Sequence, residues 1–178
     1  MKAVIDTNVL LIANGEHADV SEDCVNECVR RLQAMQAGGT AVIDDGYRII
    51  GEYLHKNRPG AQKGAGNVYL KWLLQNHANA RRVQTVRLTE LGPDRYAEFP
   101  DSQLEPQFDP ADRKFAAVAC AHPDKPPVWQ AADSKWLDWW RPLAAAGVRV
   151  EFLCPHDAGR FYAKKFPDKP KPQLPPPA

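Results

Sequence analysis

Short runs of β-branched and apolar residues alternate along this chain with longer stretches of helical spacing, and that alternation constrains the fold more than any other feature. Lys2–Ile5 and Ala41–Ile43 read as buried strands, and Thr85–Leu88, Val128–Ala131 and Val148–Leu153 extend the series. Between them the pattern predicts helices over Ser21–Ala37, closed by Gly38-Gly39, and over Asp45–Lys56, Asn67–Asn76, Pro110–Ala121 and Lys135–Ala146. Strands that alternate with helices pair in parallel through crossovers, which covers both faces of the sheet. The expected class is therefore α/β, a three-layer α/β/α sandwich around a small parallel sheet. In such sheets ligands bind just beyond the carboxyl ends of the strands.

Six of the 16 prolines fall within residues 167–178, a stretch that can form neither a helix nor a central strand. The expected division is a domain over 1–155, an extension over 156–166 and a disordered proline-rich tail over 167–178. No apolar run approaches the ~18 residues of a membrane span, and Asp6 comes too early for a signal peptide. The expectation is a cytoplasmic protein with no membrane partner. With 23 basic and 22 acidic residues the net charge is +1, which argues against a protein that coats nucleic acid but leaves room for a local basic groove. Cys24, Cys28, Cys120 and Cys154 are dispersed among apolar neighbours and read as reduced core thiols. Cys24 and Cys28 share a helix face, but no further zinc ligand stands near them in sequence.

Several acids fall where an α/β sheet presents its site. Asp6-Thr7-Asn8 follows the first strand, and Asp133-Ser134 follows Val128–Ala131. Each also suits a helix cap, because a short polar side chain accepts the free amide hydrogens of an opening turn. Asp109-Pro110-Ala111-Asp112 is a good helix start with Asp109 as its cap, which leaves Asp112 in the first turn as the candidate for chemistry. Glu52 lies beside the apolar stripe Ile49, Ile50, Tyr53 and Leu54, where it can reach a cleft at the rim of the core or pair with Lys56 in solvent.

Taken together, Asp6-Thr7-Asn8-Val9-Leu10 after a first strand, a Glu in the helix after the second, Asp112-Arg113-Lys114-Phe115-Ala116-Ala117-Val118-Ala119, and Asp133 after a later strand resemble the PIN-domain nuclease family. The resemblance runs from Lys2 to about Leu153. The first and third motifs carry it, and Glu52 is placed by context. It implies that Asp6, Glu52, Asp112 and Asp133 are both catalytic and the ligands of one or two Mg²⁺ or Mn²⁺ ions, with Thr7 or Asn8 as polar helpers. It also implies an endoribonuclease acting on single-stranded RNA, a homodimer and, in many relatives, a toxin held inactive by a small antitoxin protein. Where relatives often carry Thr or Ser two residues before the fourth acid, this chain has Ala131.

Such a set suits metal-assisted phosphodiester hydrolysis. Hard carboxylate oxygens favour Mg²⁺ or Mn²⁺, and no side-chain nucleophile is needed. Arg113 and Lys114 are candidates to hold the scissile phosphate, and Lys56 and Arg58 open a basic stretch with Lys63, Lys71, Arg81-Arg82 and Arg87, interleaved with Tyr69 and Trp72. The same stretch equally reads as a solvated helix face with Tyr69, Leu70, Leu73 and Leu74 turned to the core. Glycines 60, 64 and 66 suggest a mobile loop. Trp136, Trp139 and Trp140 read as core or a dimer surface. Two alternatives are carried forward: a catalytically silent PIN-like adaptor for RNA or protein, and a phospho-receiver domain, which would need an acid at the end of the third strand.

Overall fold

The computed structural model describes residues 1–57 and 64–175. In chain order it runs β1 (Lys2–Ile5), α1 (Thr7–Ala13), α2 (Glu22–Gly38), β2 (Thr40–Asp44), α3 (Arg48–Lys56), α4 (Ala65–Asn76) and β3 (Val83–Val86). A hairpin of β4 (Glu90–Gly92) and β5 (Arg95–Tyr96) follows, then α5 (Arg113–Ala121), β6 (Val128–Gln130), α6 (Trp136–Ala145), β7 (Val150–Phe152) and α7 (Pro155–Lys165). Among the described residues β3-β2-β1-β6-β7, in that order, form one sheet in which every neighbouring pair is parallel. This is the expected mixed α/β architecture.

The strand order explains where a site can form. From β1 the chain builds outward through β2 to β3, then returns to the other side of β1 to lay down β6 and β7. The connections leaving β1 and β6 diverge, which opens a crevice at their carboxyl ends, the usual ligand position in open α/β sheets. The same order differs from that of a phospho-receiver, whose central strand is the third along the chain.

Local chemistry sets the boundaries of the elements. Ser21 caps α2 by accepting from the Cys24 amide at 3.2 Å. Helix α3 starts at Arg48 rather than Asp45, because the buried Asp44 at the end of β2 accepts from the Arg48 and Ile49 amides at 2.8 and 2.9 Å. The expected helix at Pro110 opens as a 3-10 turn, Pro110–Asp112, and becomes α-helical from Arg113. Edge strand β3 lies two residues earlier than its sequence pattern because its register is set by pairing, Ala41 opposite Val83 through Asp44 opposite Val86. Helices α1 and α7 and the hairpin were not expected.

Ala3, Val4 and Ile5 of β1 are fully buried between the layers, and the small Ala116, Ala117 and Ala119 let α5 lie close to β1 and β2. Trp136 and Trp139 pack with Phe108 inside the domain, as their spacing suggested. Gly64 and Gly66 belong to the start of α4 rather than to a mobile loop. A Cβ at Gly66 would lie 2.2 Å from the Leu10 carbonyl oxygen, so only glycine lets α4 approach α1 there. Leu54 and Leu74, expected inside, are exposed. Gly60, Arg58 and Lys63 lie outside the described residues.

The extension over 156–166 is mostly α7, whose Ala158 and Tyr162 join the core. The described part of the proline-rich segment has no helix or strand and lies against α6, where the Trp140 indole donates to the Gln173 carbonyl at 2.9 Å. Residues 176–178 are outside the described set. No described helix is long and apolar enough to cross a membrane.

The cysteines depart from expectation. Cys24 in the first turn of α2 is disulfide-bonded to Cys154, 130 residues away at the junction of β7 and α7, and Cys28 Sγ lies 3.9 Å from Cys154 Sγ. Only tertiary folding brings these together, because two pieces of chain so far apart leave no spacing to read. Denatured without reductant, the protein is expected to titrate two thiols, Cys28 and Cys120, and four after reduction. Cys24→Ser is expected to lower unfolding free energy by about 2–4 kcal/mol under oxidising conditions. Four thiols without reductant would show that the bond does not form.

Candidate functional site

The crevice between β1 and β6 is held together by polar stitches. The Asp6 amide donates to the Trp129 carbonyl at 3.0 Å, which extends the β1–β6 pairing past the strand end. Asn8 continues the seam: its Oδ1 accepts from the Ala131 amide at 3.0 Å and its Nδ2 donates to Gln130 Oε1. Asn8 thus acts as a clamp between the two strand ends. Tyr53, buried on α3, donates its hydroxyl to the Ile5 carbonyl. That bond fixes α3 against the end of β1 and leaves Glu52, one residue earlier, at the rim.

All four acids singled out in the sequence meet at this end. Asp6 caps α1, its Oδ1 accepting from the Asn8 amide at 2.9 Å, while its Oδ2 is buried with no hydrogen-bond partner. Burial raises its carboxyl well above the usual carboxylate range, and the neighbouring charges of Asp112, Asp133 and Glu52 add to the rise against the Asn8 amide. Asp112 closes the 3-10 turn but its side chain caps nothing; Asp109 does the capping through the Ala111 amide at 3.2 Å. Asp112 Oδ2 is also buried without a hydrogen-bond partner. Burial and the Asp133 charge push its carboxyl up to about 7. Asp133 Oδ1 accepts from the Lys135 amide at 3.0 Å. Glu52 is fully engaged, accepting from the Thr7 hydroxyl at 2.6 Å and from Lys114 Nζ. Thr7 therefore orients Glu52, and Glu52 pairs with Lys114 rather than with Lys56.

The cations divide differently from expectation. Lys114 is buried and spent on Glu52 and the Ala111 carbonyl. Arg113, expected to hold a phosphate, is buried too, and its guanidinium donates to the carbonyls of Phe108 and Asp94 at 3.2 and 3.4 Å. Its position at the first residue of α5 turns it to the loops packed around that helix. Arg82 precedes β3 and so lies at the opposite, amino-terminal edge of the sheet, where it donates to Gln36 and Ala37 carbonyls and covers the Trp72 ring. Tyr69, Leu70 and Leu73 face the core. Lys56 stays near the acids, since its charge helps hold Asp109 below the usual range, after the larger effect of Lys135.

Lys135 was not singled out in the sequence. Its ammonium bonds Asp109 and lies 3.7 Å from both Asp112 and Asp133, close enough for ion pairing but too far for a hydrogen bond to the orphaned Asp112 Oδ2. Burial alone would lower the Lys135 ammonium, but Asp109, Asp133 and Asp112 outweigh it and raise it. A signal existed: Lys135 opens α6 and Lys114 lies in the first turn of α5, the positive ends of their helices, where a cation is disfavoured unless something else holds it. Gln130, fully buried with its Nε2 unpartnered, was also missed.

The unpartnered, buried oxygens of Asp6 and Asp112 are hard donors, and a divalent cation would satisfy both. Hard carboxylate oxygens are the donor class that suits Mg²⁺ or Mn²⁺. Comparison with protein-family models, with curated proteins and with solved structures gave no match to this chain.

Folding raises the Asp112 carboxyl from 3.8 to about 7, so it favours the protonated form. That stabilisation is complete below about pH 4 and is lost as pH rises through 7. In metal-free protein, Asp112→Asn should therefore raise the unfolding free energy more at pH 8 than at pH 5, by about 1–3 kcal/mol at the higher pH. An equal change at both pH values would contradict the buried, raised carboxyl.

Proposed function

We propose that this chain is a Mg²⁺- or Mn²⁺-dependent phosphodiesterase of PIN type, an endoribonuclease cutting single-stranded RNA. The observation that carries the reading is the pair of buried, unpartnered oxygens of Asp6 and Asp112 at the crevice between β1 and β6. Carboxylates are held out of water beside one another at a cost unless a cation joins them. Asp6, Asp112 and Asp133 would hold the ion, and Glu52, kept in place by Thr7 and Lys114, would add negative charge at the rim. When bound, the cation supplies an activated water and neutralises charge developing at phosphorus. The chain's own part is positioning: Asn8 and Gln130 hold the strand ends in register, and Tyr53 fixes the helix that carries Glu52.

Lys135 stands where a substrate phosphate would meet the acids, and a cleft of about 600 Å³ extends from it along Trp139, Phe166, Lys165 and Lys169. Cations interleaved with aromatic rings suit a sugar-phosphate backbone with unstacked bases. The wider PIN resemblance adds a homodimer and control by an antitoxin protein to the proposal.

A second reading, a catalytically silent PIN-like adaptor, draws on one specific observation. Lys114 and Lys135 already supply two internal positive charges to the acids. The two readings separate in one experiment, cleavage of a labelled single-stranded RNA with Mn²⁺ or with EDTA. Wild type is expected to cut only with the ion, and Asp6→Asn and Asp112→Asn to lose at least about a hundredfold in rate, as removal of a charge-stabilising group does. Cutting that persists in EDTA, or that survives both substitutions, would overturn the proposal. RNA binding without cutting would favour the adaptor.

A further inference from the structure

On the flank of the sheet away from β3, three sulfur atoms gather from two distant parts of the chain. Cys24 and Cys28 stand four residues apart on α2 and so present their side chains from successive turns of one face. Cys154 follows β7 and caps α7. All three are buried, and their sulfurs lie within 4.8 Å of one another. Among the described residues no other group of three or more His, Cys, Asp or Glu side chains gathers its ligand atoms in this way. The fourth cysteine, Cys120, lies elsewhere on α5, where Lys125 contacts it.

A disulfide alone would need two cysteines, and the third is placed where a shared ligand would want it. A Zn–S bond of about 2.3 Å puts tetrahedral thiolates about 3.8 Å apart. Cys28 and Cys154 already stand at 3.9 Å. Two helix amino termini converge on the group, Cys24 in the first turn of α2 and Cys154 at the cap of α7, and their partial positive charge favours thiolates. Both termini are clipped together independently of sulfur chemistry. Ser21 donates its hydroxyl to Asp157 Oδ2 at 2.6 Å, and Arg160 pairs with the other oxygen of Asp157. Opening the disulfide would therefore leave the three sulfurs assembled.

We propose that Cys24, Cys28 and Cys154 form a thiolate site for a thiophilic divalent cation of the Zn²⁺ class, which exchanges with the Cys24–Cys154 disulfide according to redox state. The two states are connected by balanced steps. A dithiol reductant transfers two electrons and two protons, becoming a disulfide itself and leaving Cys24 and Cys154 as thiols. The cation then displaces three protons and is held by three sulfurs, which leave its fourth position to water or an external ligand. Charge favours a divalent over a monovalent ion: three thiolates around Zn²⁺ leave one buried negative charge, around Cu⁺ two. Burial, helped by the Glu27 charge, pushes the Cys28 thiol up to about 12, so the cation has to displace its proton and uptake rises with pH. The site is soft where the acidic crevice is hard, and it stands whether or not the chain is a nuclease.

The full-length protein, reduced with a phosphine and freed of metal, is titrated anaerobically with Co²⁺, and then with Zn²⁺ in competition. One equivalent of Co²⁺ is expected to give a thiolate-to-metal charge-transfer band that Zn²⁺ abolishes. Carboxylate-bound cobalt at the acidic end gives no such band. The band is expected to disappear in Cys28→Ser and Cys28→Ala, which keep the Cys24–Cys154 pair for folding, and to persist in Cys120→Ser and Asp112→Asn. It should also be absent from unreduced protein. No band in reduced wild type, or a band unchanged in both Cys28 variants while their circular dichroism matches wild type, would overturn the site.

Discussion

Burying Asp6 and Asp112 side by side opposes folding, and much of the surrounding structure can be understood as holding them there. Each has one oxygen sealed from water with no donor to meet it; Asp6 lies within the field of Asp112 and Asp133, and Asp112 within that of Asp133. Such an arrangement persists only where packing over-determines it. Here the Asp6 backbone is tied to β6, Asn8 spans the two strand ends, and the Tyr53 hydroxyl locks α3 onto the last carbonyl of β1. The fully buried β1 and the close-lying α5 supply the apolar stabilisation against which the acids are held.

Two lysines moderate the repulsion without removing it. Lys114 is spent on Glu52, and Lys135 shares itself among three carboxylates at unequal distances. Both sit at helix amino termini, where the backbone dipole disfavours them, so the acids must be what keeps them in place. The internal cations therefore balance the acids only in part.

The thiol group lies at the same edge of the sheet but depends on different physics. Leu153 and Cys154 donate their amides to the Gln130 and Ala131 carbonyls, so the chain carrying the third sulfur pairs directly with the segment that leads to Asp133. One edge thus presents carboxylate oxygens over its centre and sulfur atoms at its flank.

By itself the sequence determined the layered α/β class, the strands β1, β2 and β6, the long capped α2, and the acids at strand ends, because those signals are local: periodicity, caps and stop residues. Its reading of Asp109 as the cap of the Pro110 turn, with Asp112 left free of capping, agrees with the turn geometry. What only the tertiary structure decided were the contacts between residues far apart in the chain. Those include the crossing that sets β1 beside β6, the pairing of Glu52 with Lys114, the position of Lys135 among the acids, the turning of Arg113 away from them, and the meeting of Cys154 with α2. None leaves a trace in spacing, since each depends on how separate elements pack and on burial, which strengthens charge–charge interaction only after the fold has removed water.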